Sequence, residues 1–195
     1  MALSKIQAES MNLADTYAFT GTVSGAGGGK VLQVQSTTKT DAFSVTAGGG
    51  SGGAGWQTVT GLSVNITPSS TSSKIYVIAN LNMASESGSD FSTTTAIKLR
   101  RDSTDIFIGT AGTGSQTNSG SYSAFNVNDA RNSTNVISSG LDTPSTTSQI
   151  TYSVQVSQGY NISGRTVFVN RNPVSSDAYG TFRNASTITV MEISE

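Results

Sequence analysis

A chain of 195 residues can bury a real core, but only 12% of it is Asp, Glu, Lys or Arg and the formal charge is −1, so it carries no extended positive field. Duplex nucleic acid is bound mainly by neutralising phosphates, and nucleic acid is therefore not an expected partner. Histidine and cysteine are both absent, which removes the commonest general base, the thiolate nucleophile and disulfide bracing together.

Residues 1–29 read as an arm with apolar anchors at Leu3, Ile6, Met11, Leu13, Tyr17 and Phe19. Ser4 and Gln7 have the spacing of a helix-starting capping box, while Tyr17, Phe19 and Val23 alternate as a strand would, so a short helix and an extended strap both fit. Lys30 to Gln35 and Ala42 to Thr46 are β-prone runs separated by the polar Ser36 to Asp41, and they predict a small hairpin. Residues 1–46 thus form an expected attachment module. The tract 47–55 is nearly all glycine, offers few side chains to pack and reads as a linker.

From Trp56 to Glu195 short strands recur between turn residues. They are predicted at 57–59, 62–67, 74–83, 95–100, 105–109, 121–127, 135–138, 149–157, 166–170 and 187–193, with no convincing helix between them. Ile150, Tyr152, Val154 and Val156 alternate as in a strand with one buried face, and Ile75 to Ala79 is apolar on both faces and belongs at the centre of a sheet. The fold class expected is all-β, a sandwich or barrel preceded by the arm and hairpin. The opening decamer interrupts any apolar stretch with Lys5, Gln7 and Glu9, so no secretory signal is expected. The run Ile75 to Ala79 falls far short of the roughly 20 residues needed for membrane insertion. A soluble protein assembled in the cytoplasm is the expectation.

Three catalytic motifs match by letter and fail on chemistry. Gly49 to Gly53 spells Gly-x-Ser-x-Gly without a following helix or any histidine base. Ser36 to Lys39 spells Ser-x-x-Lys in an expected turn with no Lys-Thr-Gly element elsewhere, and Gly25 to Lys30 misses the first glycine and the magnesium hydroxyl of a phosphate loop. Asn126, Asn128 and Asp129 resemble part of a calcium loop but lack its glycine and distal glutamate. No catalytic, metal or cofactor residue is therefore assigned. Arg100, Arg101 and Asp102 read as a charged turn, and the sequons at Asn65, Asn132, Asn161 and Asn184 mean little without export. Trp56 reads as either a core plug or an anchor between subunits, and Tyr160 and Tyr179 as recognition residues in loops or ordinary exposed tyrosines.

Met1 to Thr20, Lys30 to Val34, Val59 to Pro68, Ser73 to Ile75, Leu141 to Pro144, Val167 to Arg171 and Ala185 to Ile193 resemble segments of bacteriophage virion proteins, especially those of marine cyanophages. The globular part of such proteins resembles the jelly-roll heads of trimeric tumour-necrosis-factor and C1q-like proteins. The resemblance implies a virion location, a fibre, tail or other structural role, a homotrimer, and contacts with other virion proteins. The glycine tract departs from the shorter joins of that group. Two roles follow as expectations: an exterior capsid decoration or short head fibre that grips through its arm, or a tail-fibre adhesin that recognises a host-surface glycan or protein. A glycan-cleaving virion enzyme stands third, since the spacing of two carboxylates is spatial and sequence alone does not exclude such a pair.

Overall fold

Strict alternation of side chains organises the molecule. The computed structural model describes residues 30–46, 55–86, 93–110, 112–113, 118–125, 131–158, 166–174 and 179–194. In β4 (Lys74–Ser85), Ile75, Val77, Ala79, Leu81 and Met83 are all fully buried while Tyr76, Ile78, Asn80 and Asn82 face the other way. β11 (Ser186–Ile193) follows the same rule, burying Ile188 and Val190, and β9 (Ile150–Gln158) buries Tyr152, Val154 and Val156 on its inward face and, in its second half, Gln155 and Ser157 on the other face too. The remaining strands are β1 (Val31–Lys39), β2 (Phe43–Thr46), β3 (Gln57–Ile66), β5 (Thr93–Arg101), β6 (Thr104–Ile106), β7 (Ser121–Phe125), β8 (Thr134–Asp142) and β10 (Thr166–Val169). No helix occurs among the described residues.

The strands form two antiparallel sheets. In the first, β1 and β2 lie along β11 and β10 respectively, β11 and β10 lie along successive parts of β4, and β8 pairs with β4. Residues 75–80 of β4 pair with both β11 and β8, so these occupy its opposite sides. In the second sheet the order is β3, β9, β5, with β6 and β7 along successive parts of β5. Each sheet is therefore four strands wide, and the chain crosses between sheets at β2 to β3, β3 to β4, β4 to β5, β7 to β8, β8 to β9 and β9 to β10. That is a jelly-roll sandwich, with its core between the inner faces.

This topology corrects the expected hairpin. β1 and β2 do not pair with each other; both are edge strands of the first sheet. The edge is interrupted between them at residues 40–42, and Asn170, at the matching break between β10 and β11, holds the two parts in line. Its Nδ2 donates to the carbonyls of Lys39 (2.8 Å) and Asp41 (3.1 Å), and its Oδ1 accepts from Ser186 Oγ at 2.6 Å. Asn170 has φ 62°, a left-handed conformation that asparagine tolerates better than most residues. Residues 31–46 thus belong to the sandwich rather than to a separate module.

Two buried carboxylates bind the parts together. Asp142 at the end of β8 receives Arg101 Nη1 on both oxygens at 2.9 Å and the Tyr152 hydroxyl at 2.7 Å, tying the first sheet to the second. Burial, and then that bond to Asp142, push the Tyr152 phenol well above its ordinary pKa. Glu192 on β11 is fully buried and faces inward. It accepts from Gln33 Nε2 (2.6 Å), from Ser69 N (2.7 Å) and from Ser69 Oγ (2.6 Å), so it fastens both β1 and the β3–β4 turn. Burial alone would raise its pKa, but the bonds from Gln33, Ser69 and Ser73 outweigh burial and hold it down at about 2.

Candidate assembly face and loop tips

The register of the first sheet lines up outward-facing side chains into rows. Val34 lies opposite Met191, Met191 opposite Tyr76, and Tyr76 opposite Leu141, giving an apolar row that crosses the sheet from edge to edge. Val34 and Leu141 at its ends are 52% and 49% exposed, and Tyr76 and Met191 between them are half-buried. Beside it lie Ile78, Ile193 and the exposed Val31 and Leu32, the last where the β1–β11 register slips. The rows farther along mix apolar and uncharged polar groups: Ser36 Oγ meets Thr189 Oγ1 at 2.8 Å in the row that holds Ile78 and Ser139, the exposed Ile137 lies in the next row beside Asn80, and Asn82 is bonded to Asn135 (3.2 Å) and Asn184 (2.8 Å). The middle of this face holds apolar groups, hydroxyls and amides without a charge, a chemistry suited to another surface of the same kind. At one margin of the face Ser194 N donates to the Lys30 carbonyl at 2.9 Å, so β1 begins beside the apolar row.

The anchors Leu3, Ile6, Met11, Leu13, Tyr17 and Phe19, the tract 47–54, the calcium-like Asn126, Asn128 and Asp129, and Tyr160 lie outside the described residues. Trp56 is half-buried on the outside of the second sheet, where the Lys98 ammonium stands 4.7 Å from its ring centre. Lys98 also bonds Asp105 at 2.7 Å. Tyr179 is 100% exposed in the β10–β11 connection, and Phe182 three residues on is 70% exposed. Phe182 and the apolar row went unnoticed in sequence. The row is legible only once the register is known, because Val34, Tyr76, Leu141 and Met191 come from four distant segments.

The described acidic groups are engaged in structure. Glu192 and Asp142 hold the joints above, Asp105 pairs with Lys98 and Arg100, and Asp41 pairs with Lys39 at 2.6 Å. Ser36 and Lys39 of the Ser-x-x-Lys match sit in β1, where Lys39 is buried and Ser36 bonds Thr189. The expected turn at Arg100 to Asp102 is the β5–β6 hairpin, with Asp102 at φ 50°. Among the described residues no three acidic side chains gather to hold a metal ion.

No family model and no curated protein matches the chain. Among solved structures it is similar to a chain of "Structure of infectious bursal disease virus Gx strain", with a TM-score of 0.39 and 11% identity over 84% of this chain. The match covers 42% of that chain, less than half its length.

Proposed function

We propose that this protein is a non-enzymatic structural component of a bacteriophage particle, a homotrimeric jelly-roll head on the capsid exterior that acts as a decoration or short head fibre. The apolar row Val34, Met191, Tyr76 and Leu141 carries the reading: three copies would bury these outer faces against one another. The same association would cover β1 and β8, the open edges of the first sheet, which are hazards for uncontrolled pairing if left bare. Lys30, the first described residue, lies beside that face, and residues 1–29 would extend to the shell, so that each trimer grips at three points with the avidity of linked sites. A neutral hydroxyl-rich surface suits a particle that must not adhere to its neighbours. Deleting residues 2–29 should leave a folded head that no longer enters particles. Loading of the truncated protein at the normal level would refute the role of the arm.

A second reading, a tail-fibre adhesin for a host-surface glycan or protein, is favoured by Tyr179 and Phe182, two exposed aromatic rings on one connection. Under it the purified protein should bind host cells and compete with infection, and Tyr179→Ala together with Phe182→Ala should abolish both. Absence of cell binding at micromolar protein would leave the decoration role.

A further inference from the structure

At the end of the sandwich where β4 and β9 finish and β5 and β10 begin, the interior changes character. Alternation places Gln158 on the inward face that holds Tyr152, Val154 and Val156, Thr95 on the face that holds Ile97 and Leu99, and Ser85 on the face that holds Leu81 and Met83. Gln158 and Thr95 are fully buried and Ser85 is 5% exposed. Gln158 Nε2 and Oε1, Thr95 Oγ1 and Ser85 Oγ have no hydrogen-bond partner among the described residues. Thr95 and Gln158 are direct neighbours across the β5–β9 ladder, yet their side chains are not bonded to each other.

We infer that this end of the interior is an internal hydration site, in which ordered water bridges the Gln158 amide to Thr95 and Ser85. The amide offers donors and an acceptor, and each hydroxyl can act as either, so the set meets the two to four polar partners that a buried water requires. All three side chains are neutral, which fits water and not an ion. Thr95 and Gln158 are neighbours across one ladder and Ser85 ends β4 at the same end of the sandwich, which sets them apart from a scatter of isolated unmet groups.

A high-resolution crystal structure of the full chain tests this directly. Ordered solvent density within about 3 Å of both Gln158 and Thr95 is expected. A Gln158 amide bonded directly to Thr95 or Ser85, with no solvent between them, would overturn the inference. Thermal unfolding of Gln158→Met and Thr95→Val gives a second, opposite-signed readout. A hydrated site predicts that each variant lowers Tm by about 2–4 °C, because a satisfied bridge is lost. An unchanged or raised Tm would mean that the polar groups were unmet and the site dry. If a variant fails to fold, the wild-type density decides alone.

Discussion

Replacing Glu192 with glutamine keeps the shape of the side chain while removing its charge. Glu192 accepts from an amide, a backbone N–H and a hydroxyl; in Glu192→Gln one oxygen becomes an NH2 and faces a donor instead of accepting from it. A carboxyl held at about 2 against an ordinary 4.5 sets a ceiling of about 3 kcal/mol at neutral pH. Ser69 is exposed, so water reaches one side of the cluster and screening reduces the expected loss to about 2 kcal/mol. The folded pKa is depressed, so this contribution is complete above about pH 4.5 and fades as pH falls towards 2. Urea unfolding of both proteins at pH 7, 5, 4, 3 and 2 would follow it. The account predicts a gap of about 2 kcal/mol at pH 7, equivalent to about 4–8 °C in Tm, that closes towards pH 2. A gap that stays constant with pH, or no gap at pH 7, would refute the argument that the charged form is what holds the β3–β4 turn.

Three further outcomes follow from the packing. Tyr152→Phe should lose about 1–2 kcal/mol by leaving an Asp142 oxygen short of a buried donor, measured by denaturant unfolding at pH 7. A Cβ on Gly140 would sit 2.6 Å from the Phe107 ring, so Gly140→Ala should cost about 1–3 kcal/mol, and the double variant with Phe107→Ala should lose less than the sum of the two separate losses. Asn170→Ala removes three hydrogen bonds at a left-handed position and should cost about 2–4 kcal/mol, with hydrogen exchange accelerated first in β2 and in the start of β11.

Much of the sandwich was legible because burial leaves a period of two. β4, β9 and β11 announce themselves in Ile75 to Met83, Ile150 to Val156 and Ile188 to Val190, and their predicted bounds lie close to those observed. Elsewhere the local signal misled. Ser36 to Lys39 looks like a turn, but an edge strand exposed on one side is free to be polar, and β1 runs through to Lys39. Gly61, at φ +80°, sits within the irregularity of β3 and split one strand into two in the reading of the sequence. The hairpin expectation failed because β1 and β2 are collinear parts of one edge, paired with strands more than a hundred residues away. Glu192 could not be foreseen as a buried carboxylate, since its donors arrive from β1 and from the β3–β4 turn. The apolar row was hidden for the same reason, as it exists only in the register of four strands.

The mass of the purified full chain in solution, beside that of Met191→Lys, tests the central claim most directly. Met191 is the second position of the apolar row and faces outward, so a lysine there should leave the fold intact while placing three like charges in the proposed interface. Native mass spectrometry should find three chains in the wild type and one in the variant, with the variant unfolding as a single cooperative unit. A wild type that is monomeric at micromolar concentration, or a variant that remains trimeric, would contradict the account.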